Sequence, residues 1–494
     1  MNPQIRRLFF FFAALFVALV GMTSYWLWKA PELEARRGNP NLIVRQLTIE
    51  RGLIYASNGK TLLARNLEKK QPELGSTWYL RRYPRHQLTA HAVGYSTVER
   101  ARAGLEESLN DYLTGSNLEL DTVVENTLDR LQGITQRGNN VVTTLNLVGQ
   151  RAAVRGLQGS CGGVVALEPA TGKVLVMASS PAYDPNLVER RFGRIVRQGG
   201  PCRPAAPLLN RTTQGRFIPG STFKIVTATA ALDSGRFTPS SRFNDPGYCI
   251  EYGKRVFNYA DQSGPNVFGN VDFGDAVENS INSVFCEIGK RLGPQLVIEY
   301  MKRFGFYDEP PIELPSDEVQ RSGLYDKGKL FRPSDPNQVD PGRLAFGQER
   351  LQVTPLQMAL VASGVANGGV VMEPKLVERI VAPDDTIISR FEPNEWKTAI
   401  KPRTAAELTS MMRAVVESGT ATSAQIPGIS VAGKTGTAET GREGQNDTWF
   451  IAFAPVENPR VAVAVALSNQ DGTGGATAAP IAKALIEALL RGNP

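Results

Sequence analysis

The sequence predicts a mixed α/β domain with a central antiparallel sheet flanked by helices, carried on an N-terminal transmembrane helix and a pedestal. Three observations predict it. Two β-rich runs inside GGVVALEPATGKVLVMASS (162–180) and three later ones, ISVAGKTGTAE (429–439), TWFIAFAP (448–455) and RVAVAVALS (460–468), bracket a long stretch of helical and loop sequence. Strands at both ends with helices between them join into one sheet of early and late strands. Residues 8–28, LFFFFAALFVALVGMTSYWLW, carry no charge. Polar, mixed sequence also gives way near residue 142 to clear strand and helix patterns.

The apolar run comes first. It is long enough to cross a bilayer as a helix, it follows Arg6 and Arg7, and Tyr25, Trp26 and Trp28 sit where an interfacial aromatic belt lies. No A-x-A signal closes its apolar core, so it reads as an uncleaved anchor rather than a signal peptide. Residues 1–7 then form a cytoplasmic tail, 8–28 the anchor, and the rest faces the outside of the cell membrane. Arg36 and Arg37 weaken the charge asymmetry, so this orientation rests mainly on the short leading tail.

Residues 29–145 read as a pedestal, with a strand-like NLIVRQLTI (41–49) and an amphipathic VVENTLDRLQGI (123–134). His86 and His91, the two histidines of the chain, lie here among arginines and read as surface residues rather than catalysts. Residues 146–494 form the main domain. It is entered by VVTTLNLVGQRAAVRGL (141–157), a strand feeding a helix. Glu168 to Gly172 make a hairpin turn between the first two β runs, and Asn446–Asp447 and Asn458–Pro459 read as turns between the last three. ATAAPIAKALIEALLRG (476–492) closes the domain as an amphipathic helix.

The bulk composition is that of a globular protein: 494 residues, 42 % apolar, 21 % charged, net charge +7. No period of solenoid length is present, and the arginine clusters lack the aromatic interleaving of a nucleic-acid surface. Cys161, Cys202, Cys249 and Cys286 form no CxxC pair, which argues against a Cys/His zinc site. In an exported chain they permit one or two disulfides, with Cys249 and Cys286 the favoured pair because both belong to one region of the later domain, and free buried thiols are the equal alternative. No motif points to a nucleotide, flavin, haem or metal cofactor.

The chemistry concentrates in three short motifs. In FIPGSTFK (217–224), Pro219–Gly220 precede a helical run that Gly235 can end. Ser221 and Lys224, three residues apart, share one face of its first turn. A serine hydroxyl needs a base, and the chain has no histidine after position 91. Lysine serves if burial and a second cation lower its pKa, so another lysine should stand close by. Ser57–Lys60 has the same spacing, but its Asn58–Gly59 is an exposed turn with no apolar helix behind it. Ser280-Ile281-Asn282 offers a hydroxyl to relay a proton and an amide to hold a peptide, although Ser108-Leu109-Asn110 repeats the pattern in the pedestal. Lys434-Thr435-Gly436-Thr437, the only K-[S/T]-G, adds a cation, two hydroxyls and a glycine that lets a substrate backbone approach.

In this order the three motifs resemble those of the penicillin-recognising serine acyltransferases. The flanks NRTTQGRFIPGSTFK, AFGQERLQVTPLQMA and AGKTGTAE are similar to class B penicillin-binding proteins, in particular the shorter penicillin-binding protein A type. Glu349 departs from the glycine many relatives carry there, which bears on the shape of that loop. The resemblance implies a peptidoglycan D,D-transpeptidase of cell wall synthesis, with no cofactor. Ser221 is then the nucleophile, Lys224 its base, Ser280 the proton relay and Lys434 the source of positive potential. Asn282 holds the donor peptide, and Thr435, Gly436 and Thr437 receive its terminal carboxylate. The partners implied are peptidoglycan stem peptides or their lipid-linked precursor, β-lactams, the cytoplasmic membrane and a membrane glycosyltransferase. A D,D-carboxypeptidase, a β-lactam sensor or a non-catalytic wall-assembly scaffold is the alternative.

Overall fold

The computed structural model describes residues 3–34, 47–71, 76–98, 101–116, 137–258, 260–261, 264–442 and 445–492. Helix α1 (Pro3–Glu34) contains the apolar run, and its residues 3–26 are long and apolar enough to span a membrane. Their side chains find no partner surface among the described residues. The first six residues of NLIVRQLTI and all of VVENTLDRLQGI lie outside the described residues. Leu47 and Thr48 are helical, not extended.

The pedestal is organised by a six-stranded sheet. Its strands are β1 (Ile54–Tyr55), β2 (Leu62–Gln71), β3 (Ser76–Arg82), β4 (Asn140–Thr143) and, from far along the chain, β9 (Val377–Val381) and β10 (Ile387–Arg390). They run in the order β10-β9-β4-β1-β2-β3. The contact of β4 with β9, Val141 opposite Ile380, ties the end of the pedestal to the main domain. Glu106 is fully buried there, held by Arg51 at 2.9 Å and Arg81 at 2.5 Å. A buried carboxylate needs such partners.

After β4 the chain turns into α2 (Leu147–Gly156). Asn146 caps it, its side chain accepting from the N–H groups of Val148 and Gly149. Strands β5 (Cys161–Leu167) and β6 (Val174–Ser180) follow as the expected hairpin, with Gly172 at φ 78° in the turn. The hairpin β7 (Tyr248–Glu251) and β8 (Lys254–Phe257) comes later. The late strands are β11 (Ala432–Arg442), β12 (Gln445–Ala454) and β13 (Val461–Gln470). All five long strands make one antiparallel sheet, β11-β12-β13-β5-β6, in which Cys161 pairs with Ser468 and Leu167 with Ala462.

Every residue of β5 is buried, as are Asp447–Ala454 of β12 and Val461–Leu467 of β13. A sheet with both faces dry must be covered on both. Helices α2 and α8 (Gly474–Arg491) pack against one another and against β6, β12 and β13, while α6 (Pro355–Ala366) lies on β5, β12 and β13. Between them run α3 (Lys224–Asp233), α4 (Asn282–Leu292), α5 (Pro341–Ala345) and α7 (Pro402–Glu417).

Four expectations are corrected. Asn446 and Asp447 lie inside β12, not at a turn, because the strand needs them to keep register opposite Glu439 and Ala438. The disulfide joins Cys161 to Cys202, since the loop after β6 folds back over the start of β5. The favoured pair, Cys249 and Cys286, are free thiols. His91 is not a surface residue: it is buried, its Nε2–H donating to Pro207 O at 2.9 Å, with its ring edge-on to Tyr183. His86 is exposed, as expected, and meets Asp184 at 2.9 Å.

Burial pulls the His91 pKa from 6.5 to about 4. Between those values the unfolded chain holds a proton that the folded chain refuses, so acidification through this window favours unfolding. The expected outcome is a loss of stability from about pH 6.5 down to about pH 4, worth up to roughly 3 kcal/mol at one pKa unit per 1.4 kcal/mol. Thermal melts across pH should show that slope in the native chain and a flatter one in His91→Gln.

Candidate active site

The nucleophile candidate sits on a turn, not a helix cap. Gly220 takes φ 50° and opens a 3-10 turn, Gly220–Phe223, that runs straight into α3. Ser221 lies within that turn and makes no capping bond. Its hydroxyl is partly exposed and has no protein hydrogen-bond partner among the described residues. Gly235, at φ 71°, ends the helix as expected.

Three glycines let this turn be sandwiched. A Cβ on Gly220 would lie 3.0 Å from Thr437 O, one on Gly436 would lie 2.8 Å from Pro219 O, and one on Gly347 would lie 2.1 Å from Gly220 O. The glycine of the third motif is therefore set against the protein's own nucleophile turn, where a substrate backbone was expected. Gly347 belongs to the loop that carries Glu349. That carboxylate is buried and pairs with its neighbour Arg350 at 3.1 Å.

Ile218, three residues before Ser221, is clamped from β12. Its N–H donates to Asp447 Oδ2 at 3.0 Å, and its carbonyl accepts from Trp449 Nε1 at 2.9 Å. Asp447 is in turn bonded by the Ser468 hydroxyl at 2.8 Å. Burial raises its pKa, while the Ile218 and Ser468 hydrogen bonds oppose that shift. Asp447 and Trp449 went unnoticed in the sequence. Asp447 stands at the polar start of β12, between Asn446 and Thr448, so Asn446–Asp447 reads as a turn and the apolar run begins only at Trp449.

Lys224 and Lys434 are both completely buried. Lys224 Nζ donates to Ser280 O at 2.7 Å, to Ser280 Oγ at 3.3 Å and to Asn282 Oδ1 at 2.7 Å. It also lies 5.1 Å from the centre of the Phe285 ring. Lys434 Nζ reaches the same Ser280 Oγ at 2.8 Å and Thr435 O at 3.1 Å. One hydroxyl thus bridges two amines that lie on a helix and on a sheet strand. Burial first, and the Lys434 charge second, hold Lys224 well below the ordinary lysine value; burial brings Lys434 to about 7. Ser280 has φ 56°, a conformation that costs a serine about 1 kcal/mol or more. It lies between the helix Phe273–Glu278 and α4, so the chain must bend sharply to present its hydroxyl.

The remaining candidates are partly engaged. Asn282 donates its Nδ2–H to Phe257 O of β8 at 3.0 Å, so both ends of its amide have protein partners. The Thr435 hydroxyl bonds Thr420 Oγ1 at 2.7 Å, and Thr437 Oγ1 accepts the Gly474 N–H at 3.1 Å. Thr420 has no signature in the sequence, since it lies alone after α7. The rival pairs do not assemble. Ser57–Lys60 is a turn tied by Asn58, and Ser108 bonds Gly104 O and Glu313 O at the pedestal junction. A nucleophile turn, a buried amine of lowered pKa and a second amine sharing one hydroxyl are the parts of a serine acyl-transfer site.

The chain is similar to known proteins over most of its length. Residues 162–487 match the penicillin binding protein transpeptidase domain, and residues 51–141 match the penicillin binding protein A dimerisation domain. The chain is 34 % identical over 518 residues to the peptidoglycan D,D-transpeptidase PbpA of Mycobacterium tuberculosis, covering 100 % of both. Its identity to the protein of that name in Mycolicibacterium smegmatis is also 34 %, covering 99 % of each chain. The structure of penicillin-binding protein A from M. tuberculosis as a ceftriaxone acyl-enzyme complex superposes with a TM-score of 0.80 at 33 % identity, covering 91 % of this chain and 100 % of that one.

The clamp on Ile218 makes a prediction. Asp447→Ala leaves a buried N–H without an acceptor, which costs about 1–3 kcal/mol. A matching drop in denaturant midpoint is expected, whereas Asp447→Asn, which keeps one acceptor oxygen, should lose less.

Proposed function

The chain belongs to the penicillin-binding protein transpeptidases, and from that premise we propose that Ser221 is the nucleophile through which it joins peptidoglycan stem peptides. The protein is a serine-type peptidoglycan D,D-transpeptidase. What carries the assignment of roles is the Ser280 hydroxyl held between two buried lysines.

Lys224, whose pKa burial and the Lys434 charge hold well below the ordinary lysine value, acts in its neutral form and takes the Ser221 proton as Oγ attacks the carbonyl between the two terminal D-alanines. The negative oxygen that forms is received by the N–H groups of Ser221 and Thr437, an arrangement in which one donor is worth roughly 3–4 kcal/mol. Ser280, bonded to both amines, delivers a proton to the departing D-Ala nitrogen, the C–N bond breaks, and Ser221 is left acylated. The amine of a neighbouring stem then attacks, and Ser221 recovers its proton. The hydroxyls of Thr435 and Thr437 hold the donor's terminal carboxylate against the strand edge, and Lys434, buried behind them, adds positive potential. The Asn282 amide exchanges its bond to Phe257 O for one to the donor peptide. A β-lactam enters as a donor mimic and remains on Ser221.

The protein is membrane-anchored through α1. We propose residues 1–7 as a cytoplasmic tail, 8–28 as the span, 29–145 as the pedestal and 146–494 as the catalytic unit outside the membrane; the separate matches at 51–141 and 162–487 support the last division. Stem peptides on a lipid-linked precursor, and a membrane glycosyltransferase that extends the glycan, are the partners this placement suits.

Two outcomes test the reading. Penicillin should add its mass to the native protein on the peptide holding Ser221, and Ser221→Ala should lose the adduct and slow D-Ala release about 10⁴-fold or more. Fast turnover of the β-lactam would instead mark a hydrolase. The acylation rate should rise with pH as Lys224 sheds its proton, then fall above about 7 as Lys434 does. Lys434→Arg, whose guanidinium keeps its charge, should lack that alkaline fall.

A further inference from the structure

Beside the SxN segment lies a set of side chains that the acyl-transfer chemistry does not use. Strand β7 carries Cys249 and Glu251 two residues apart, on one face of the hairpin. Helix α4 presents Cys286, one turn beyond Asn282. The two sulfurs and a Glu251 carboxylate oxygen all lie within 4.8 Å of one another. Glu251 and Cys286 are buried, and Cys249 is partly so. In their present state the groups satisfy one another with protons: the Cys286 thiol donates to Glu251 Oε1 at 2.8 Å.

Two further observations show that room and charge are arranged around this cluster. Gly342 of α5 stands where a Cβ would come within 2.3 Å of Glu251 Oε1 and 3.0 Å of Cys286 Sγ. Its φ is not positive, so space, not backbone conformation, demands the glycine, inside a helix where glycine is otherwise a cost. Asp340, just before α5, meets Glu251; burial first and that contact second push its carboxyl up to about 6. Lys290 Nζ, on a half-exposed side chain, reaches Glu251 Oε1 at 2.7 Å.

We propose that Cys249, Glu251 and Cys286 form a binding site for zinc, with water in the fourth position. Two thiolates exclude calcium and magnesium, which take oxygen ligands, and suit a borderline-soft ion. Zinc places thiolate sulfur at about 2.3 Å and carboxylate oxygen at about 2.0–2.2 Å, so tetrahedral ligands stand about 3.4–3.8 Å apart. Cys286 Sγ and Glu251 Oε1 stand 2.8 Å apart and no pair exceeds 4.8 Å, so the three ligand atoms reach that spacing by shifts of roughly 1 Å. On binding, the two thiol protons pass to solvent. Zn²⁺ with two thiolates and one carboxylate carries one net negative charge, and the Lys290 ammonium balances it. Asp340 and Lys290 then orient the Glu251 carboxylate from outside, the usual second layer of a metal site. The sequence hides the site because a Cys-x-Glu on a hairpin and a distant helical cysteine match no zinc spacing. Its consequence is local: β8 of the same hairpin supplies the Phe257 carbonyl that Asn282 holds, so the metal fastens that hairpin to the helix beginning at Asn282.

The test uses the full chain in detergent, kept reduced, with zinc and then cobalt as probes. One bound equivalent of zinc is expected, together with a thiolate-to-cobalt charge-transfer band that Cys249→Ser and Cys286→Ser abolish. Glu251→Gln should weaken zinc at least about 10-fold, the usual effect of disturbing such a site. Because a variant can misfold, the unaltered protein supplies a second reading: zinc should shield Cys249 and Cys286 from alkylation. No zinc bound, no band and no shielding would overturn the proposal. So would recovery of the pair as a disulfide, two hydrogens lighter, from protein purified without an added oxidant.

Discussion

The desolvation of two lysines around one serine hydroxyl is the constraint from which the rest of the domain follows. Neither amine sees water, and a charged ammonium in such a place is costly. The fold answers by lowering both pKa values and by giving each amine polar partners: Ser280 and Asn282 for Lys224, Ser280 and the Thr435 carbonyl for Lys434. Those partners come from a helix start, a strained bend and a sheet strand that are far apart in sequence. They stay in register only if α3, α4 and β11 are fixed to one another. The sheet, dry on both faces, supplies that rigidity.

Close packing does the finer positioning. The turn bearing Ser221 has no room to shift, because Gly436 lies against one side and Gly347 against another, each at distances that exclude a side chain. Asp447 and Trp449 fix both ends of the Ile218 peptide just upstream. These contacts are made by backbone or by buried polar atoms whose loss leaves a group unpaired, so each tolerates little substitution. The Ser221 hydroxyl is left unbonded among the described residues and partly exposed, while Lys224 is bonded to Ser280 and Asn282.

Much of this was legible in the sequence, for definite reasons. The five strands of the main sheet announce themselves through β-branched, alanine-rich runs, and early and late runs were expected to join in one antiparallel sheet, as they do. The expectation of a second lysine near Lys224 came from a serine needing a base in a chain with no late histidine, and Lys434 reaches the same Ser280 hydroxyl. What escaped was set by tertiary contact. His91 is buried only because the pedestal and the segment near Pro207 close over it. Cys161 meets Cys202 only because a loop folds back, and Asp447 is a strand residue because its backbone pairs opposite Ala438. Gly436 was read as a point of close approach, and the Pro219 carbonyl of the turn before Ser221 lies against it.

The same logic explains why pedestal and catalytic unit belong together. Strand β9 from beyond residue 370 pairs with β4, Glu318 accepts the Gly104 N–H at 3.0 Å, and the Ser108 hydroxyl bonds Glu313 O at 2.8 Å. Each contact crosses between the N-terminal segment and the sheet domain, and each uses backbone on at least one side, which does not depend on long flexible side chains. A hinge would require such groups to find water when it opened. The join therefore resists bending, and the pedestal holds the transpeptidase unit in one fixed relation to itself.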